Sequence, residues 1–234
     1  MTTAYAQKIH ALLAKAASTT HEAERTAFTE AAERLMVKWG IDEAMLDATK
    51  PHETGRPAIV GRRYQVEGTS AVLLAEMASV VAAGVAPVRT LFAKVQGYWW
   101  AVGYTDDLAR VELYVPHVVT QARIAWKTYL RTVSLDPSAL RRARVTFLME
   151  YGRTVKGRFD ELFQREVANV EGAALVLARR EGDVDAELAV LHPKVRVVAA
   201  RRTLDFDAAQ AGRRAGLEAS LTAGAIGDTE VGAA

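Results

Sequence analysis

The sequence predicts an α+β fold that is mainly helical, and three observations carry the prediction. The first is a long amphipathic stretch over residues 137–172. With Leu148 as origin and a rotation of about 100° per residue, Tyr151, Val155, Phe159, Leu162, Phe163 and Val170 fall within about 60° of it, making one bulky apolar stripe. The second is a β-hairpin signal, RTLFAKV and YWWAVGY joined by Gln96-Gly97, with glycine second in a two-residue turn. The third is a pair of helical patterns in the first 49 residues, separated by a short polar break. The expected organisation is a helical hairpin module (1–49), a linker (50–63), an α+β domain of long helices on a short antiparallel hairpin sheet (64–221), and a flexible tail (222–234).

Composition supports a packed core. Half of the 234 residues are hydrophobic, which argues against wholesale disorder. Lys plus Arg number 30 and Asp plus Glu 28, so the net charge of +2 gives no whole-protein argument for nucleic acid or membrane. The absence of cysteine excludes disulfides, zinc–thiolate sites and cysteine nucleophiles. Nothing at the N-terminus reads as a signal peptide, and the longest nearly apolar run, residues 70–87, is broken by Glu76. A cytoplasmic protein without membrane contact is the expectation.

In chain order, residues 3–17 predict a helix with Ile9, Leu12 and Leu13 on one side. Thr19 and Glu22 fit a capping box for a second helix ending at Trp39. Gly40 suits a left-handed C-cap, and Asp42 suits the cap of a further short helix, Glu43 to Asp47. KPHETGRPAIVGRR reads as the linker. A short strand is expected at Tyr64 to Glu67, then an alanine-rich helix from Thr69 to Ala83. On the hairpin, Trp99 and Trp100 must point to opposite faces, so one is covered by another element or offered to a partner. Thr105 or Asp106 caps a helix reaching about Arg131, which Pro116 should kink or divide. Asp136 or Ser138 can cap the long helix, Pro137 suits its first turn and Gly172 its end. After Gly172 a strand leading into a helix stopped by Pro193 is expected, then a valine-rich strand at 195–202. A last helix is capped by Asp205 or Asp207, and its Gly212 and Gly216 suit close approach to another backbone.

The N-terminal stretch KIHALLAKAASTTHEAERTAFTEAAERLMVKWGIDEAML resembles the N-terminal module of a family known as domain of unknown function 2786, found in bacteria and many phages. The matching positions are Ile9, Leu12, Leu13, Ala14, Ala16, His21, Glu22, Ala23, Glu24, Leu35, Met36, Lys38, Trp39, Gly40, Ile41 and Asp42. Similarity to the family's following region continues through Gly103, Asp106, Glu112, Leu113, Gln121 and Ala122. It extends to Arg141, Arg142, Phe147, Tyr151, Gly152, Val155 and Arg158, with a departure at Arg144, Val145 and Thr146. The tail of the chain also resembles the family's ending. The resemblance implies a phage or prophage setting and, with it, a host cytoplasm; it implies no particular activity.

No catalytic constellation is legible. The five histidines form no H-x-x-x-H or H-E-x-x-H pair, and no phosphate loop or nucleophile elbow occurs. Asp183–Asp185 and Asp205–Asp207 are D-x-D pairs, which serve as metal ligands or as helix caps; capping is the simpler reading, with no metal or cofactor expected. Basic residues do cluster. Arg141, Arg142, Arg144, Arg153 and Lys156 on the long helix, with Arg201 and Arg202 near the end, are the candidate anion or nucleic-acid contacts. They serve either as a solvated face over apolar surface, with local acid neighbours such as Glu150 and Asp160, or as a guanidinium cluster aimed at negative charge. The functional expectation is a non-enzymatic, nucleic-acid-associated accessory protein. The alternatives are an assembly protein, binding itself or another protein through exposed helix faces, and an enzyme of unrecognised type.

Overall fold

The computed structural model describes residues 2–49, 57–92, 96–195 and 205–219. In chain order the elements are α1 (Thr2–Ser18), α2 (Glu22–Ala48), β1 (Ile59–Gln65), α3 (Ala71–Val85), β2 (Arg89–Phe92), β3 (Tyr98–Tyr104), α4 (Thr105–Leu130), α5 (Pro137–Ala168), α6 (Ala173–Leu191) and α7 (Phe206–Leu217). The expected α+β, mainly helical architecture is present, with α1 and α2 as a helical pair. The strands form one antiparallel sheet in the order β1-β3-β2.

Helix α5 is the axis of the molecule. Asp136 caps it, accepting from the Ser138 and Ala139 amides at 2.7 and 3.0 Å, and Pro137 occupies the first turn. Leu148, Tyr151, Val155 and Phe159 are buried along the expected stripe. Tyr114 of α4 meets Phe159 edge-on at 4.7 Å. Burial of Phe159 alone contributes about 2–3 kcal/mol. Helix α7 lies against α5 through its two glycines: a Cβ on Gly212 would fall 2.4 Å from the Phe147 carbonyl oxygen, and one on Gly216 2.9 Å from that of Tyr151. Asp205 caps α7 through the Ala208 amide at 3.0 Å.

The sheet is covered unequally. One face, carrying Trp99 and Ala101, enters the main core under α3 and α4. On the other face, Val102 and Tyr104 pack with Ile59 of β1 and with Val184 and Leu188 of α6. Gln96 and Gly97 both have positive φ, but Phe92 pairs with Trp99 rather than with Ala101, two positions from the register that a two-residue Gln96-Gly97 turn would set; residues 93–95 of the expected first strand lie outside the described residues.

Several elements differ from expectation, for reasons that are tertiary. Helix α2 does not stop at Gly40 but runs on to Ala48. A Cβ there would lie 1.5 Å from Arg110 Nη1, so this glycine makes room for a guanidinium rather than a turn. The Thr19–Glu22 capping box is replaced by the Thr19 hydroxyl donating to Glu24 at 2.6 Å. Strand β1 starts at Ile59, inside the stretch expected to be linker, because β3 offers it a full seven-residue register. Pro116 does not divide α4. Neither Thr105 nor Asp106 caps that helix; its N-cap is Tyr104, with no side-chain bond. Helix α5 ends at Ala168, and Gly172, with φ of 77°, opens α6 instead. No strand precedes α6: Ala173, Leu177, Arg180 and Val184 recur at helical spacing and are all buried. The strand expected at 195–202 and the tail from 222 fall largely or wholly outside the described residues.

Candidate functional site

The end of α4 and the start of α5 meet at one corner, held by Trp126 and Tyr129 packing on Phe147 at 5.4 and 5.5 Å. Lys127 and Arg131 are exposed on the α4 side, Arg141 and Arg142 on the α5 side. Among the described residues none of these four pairs with a carboxylate; Arg142 reaches only the Ser138 hydroxyl, at 3.3 Å. Arg144, half-buried, lies 5.6 Å from the Trp126 ring centre and donates to the Ser70 hydroxyl at 3.2 Å. This arginine takes the course expected of a basic residue on an apolar stripe: its stem packs and its head seeks polar partners. Arg123 donates to the Glu67 carbonyl nearby. The positive end of the α5 dipole adds to the field at this corner.

The described carboxylates on this side include Asp136, which is committed to capping, exposed Glu67 on the β1–α3 connection, and Asp205 and Asp207, which lie close enough to Tyr129 to help burial raise its hydroxyl pKa. The two Asp136 amide bonds, assisted by Arg142, hold its pKa below the ordinary range, so it stays ionised.

The other predicted contacts do not join this corner. Arg153 donates to Glu150 at 2.7 Å, and Arg213 of α7 reaches the same carboxylate at 2.9 Å. Lys156 is paired with Asp160 at 2.6 Å. Arg201 and Arg202 lie outside the described residues. The helix therefore divides its basic residues: Arg141, Arg142 and Arg144 gather at its start, while Arg153 and Lys156, roughly 18 Å further along by helical rise, are neutralised. Lys127 and Arg131 were not anticipated. Their signal was their position at the end of α4, just before the short connection to α5.

Two buried ionic clusters also escaped the sequence. Glu33 of α2 accepts from Arg158 at 2.6 Å and from the Tyr114 hydroxyl at 3.0 Å. Arg158 also donates to the carbonyls of Gly216 and Ala219, both at 3.0 Å, closing the end of α7. Burial pushes the Glu33 carboxyl up, against the opposing pull of Arg158. In the second cluster Arg180 of α6 binds Asp47 at 2.8 Å, Asp106 at 3.0 Å and Asp107 at 3.1 Å, with its guanidinium 3.9 Å from the Tyr104 ring centre. Arg110 completes it through Asp107. Burial disfavours the Arg180 charge, but Asp107 and Asp106 outweigh it and the pKa rises. The clusters tie α2 to α4, α5 and α6.

Asp183 and Asp185, expected as caps, sit inside α6. They accept instead from the Tyr104 hydroxyl at 2.9 Å and from Arg89 at 2.6 Å. Among the described residues no group of three or more His, Asp or Glu is placed to hold a metal ion, and no helix is long and apolar enough to cross a membrane.

Fold and corner together define a helix-rich α+β protein with exposed basic residues at the α4–α5 corner. Residues 4–43 match the model of a family described as "Protein of unknown function (DUF2786)". That span covers α1 and most of α2; the similarities read at residues 103–122, along α5 and in the last helix lie beyond it. Its motif positions are mostly structural here. Ile9, Leu13, Ala16, Met36, Trp39 and Ile41 are buried, and Asp42 accepts from the Tyr5 hydroxyl. No curated protein and no solved structure matches the chain.

Proposed function

We propose that this is a non-enzymatic, nucleic-acid-associated accessory protein that acts through the α4–α5 corner. The family resemblance of its N-terminal module supports a phage or prophage setting, and with it a host cytoplasm. The observation that carries the reading is the absence of carboxylate partners for Lys127, Arg131, Arg141 and Arg142 among the described residues, when Arg153, Lys156, Arg158, Arg180 and Arg213 all have one. Unpaired cations on one corner release counterions when they neutralise phosphates, which yields binding that weakens steeply with salt.

The test is a fluorescence-anisotropy titration of a labelled duplex at several salt concentrations. Binding should weaken linearly on a log–log plot. Arg141→Glu with Arg142→Glu should lower the slope by about 2, one for each lost phosphate contact, and leave Tm in place because both side chains are exposed. Absent binding, or binding indifferent to salt, would sink the proposal.

A further inference from the structure

The sheet's outer face is only half occupied by α6. Strand alternation and the observed register place Ile59, Gly61, Arg63 and Gln65 of β1, Arg89 and Leu91 of β2, and Tyr98, Trp100, Val102 and Tyr104 of β3 on this one face. Helix α6 takes the Tyr104 end. Val184 and Leu188 pack there, Asp185 neutralises Arg89 at 2.6 Å, and Leu191 comes within 3.5 Å of a Cβ built on Gly61. At the opposite end Arg63 and Gln65 are exposed, while Tyr98, Trp100 and Leu91 are half-buried. The Tyr98 and Trp100 ring centres are 6.4 Å apart, and the Arg63 guanidinium lies 5.0 Å from the Tyr98 ring. Among the described residues Arg63 has no carboxylate partner, whereas Arg62, on the inner face, is held by Glu112 at 2.6 Å.

We infer that this half-face is a stacking platform for single-stranded nucleic acid, with Tyr98 and Trp100 receiving bases and Arg63 contacting a base face or a phosphate. The inference rests on the nucleic-acid reading above and narrows it from any nucleic acid to unpaired strands. Two aromatic rings beside an unpaired guanidinium suit this occupant. Every base has a π-face, the backbone supplies the negative charge, and a duplex keeps its bases stacked away from such a surface. The platform also runs on towards the basic corner. Gln65 pairs with Tyr98, and five residues further on Ser70 takes the Arg144 guanidinium. Between them the Glu67 carbonyl holds Arg123. A strand laid on the rings can thus follow the β1–α3 connection to Arg141 and Arg142.

The tryptophans supply a direct readout. Trp39, Trp99 and Trp126 are 2, 3 and 8% exposed, so Trp100 is the one placed to respond at the surface. The experiment titrates the full chain with an oligothymidylate of about 15 nucleotides and with a duplex of the same length, following anisotropy and tryptophan emission. The single strand should bind more tightly than the duplex and quench emission saturably. Trp100→Leu should abolish the quench and weaken single-strand binding about tenfold, the equivalent of one stacked base, with duplex binding unchanged. Arg63→Ala, at an exposed position, should give a severalfold loss on the single strand and serves as the test should the tryptophan variant fail to fold. If duplex and single strand bind alike and neither substitution matters, the platform is overturned and the corner stands. If neither probe binds, both readings fall.

Discussion

The two parts of α5 use the same residue type under opposite conditions. At its start Arg141 and Arg142 are exposed and, among the described residues, form no ion pair with a carboxylate. Along its middle Arg153 and Lys156 pair with acids of their own helix, and Arg158 is drawn into the core by Glu33 of α2. The helix's own acids, Glu150 and Asp160, account for two of the later pairs. Neighbouring elements add to this: the end of α4, with exposed Lys127 and Arg131, packs near the first stretch through Trp126 and Tyr129, whereas α2 and α7 bring a glutamate and carbonyls to Arg158. A guanidinium becomes architecture where the surrounding elements supply negative partners, and stays available for an outside anion where they do not.

Graded substitutions sharpen that contrast. The largest effect should come from Arg180→Ala. It leaves Asp47 and Asp107 buried without their shared cation, and should cost about 3–5 kcal/mol in urea unfolding. An unchanged midpoint would mean that the cluster does not hold α2 to α4 and α6. A smaller effect is expected at Asp185, whose carboxyl is held below its usual pKa chiefly by the Arg89 hydrogen bond. A depressed native pKa contributes stability above the unfolded-state value, about 3.9, and loses it as pH falls through the native one. Asp185→Asn should therefore lower Tm at pH 7 by the equivalent of roughly half a kcal/mol, allowing for solvent screening. Its difference from the parent should close below about pH 4; a difference that persisted in acid would deny the ionic origin. The smallest effect belongs to Arg153→Ala. This side chain is 62% exposed, so its pair should be worth less than about half a kcal/mol. A loss as large as that of Arg180→Ala would erase the distinction between exposed and buried pairs.

Legible in the residues alone were the helical character of the chain, the stripe on α5, an antiparallel pairing of β2 with β3, the Asp136 and Asp205 caps and the close approach of Gly212 and Gly216. So was the N-terminal module, whose apolar motif residues turn out to be core. Each of these is written in short-range spacing, where a few neighbouring residues fix the backbone or the buried face. Contacts made on folding were needed to place Gly40 inside a helix, to give Asp106, Asp183 and Asp185 side-chain partners rather than capping roles, and to turn Trp99 to the core and Trp100 outward. Folding also drew Arg158 and Arg180 into buried pairs, whereas the Arg153–Glu150 and Lys156–Asp160 pairs lie within one helix. The buried pairs depend on distant partners, 125 positions apart for Glu33 and Arg158 and 133 for Asp47 and Arg180. Burial and charge pairing belong to groups brought together by folding, and local periodicity carries no record of which groups those will be.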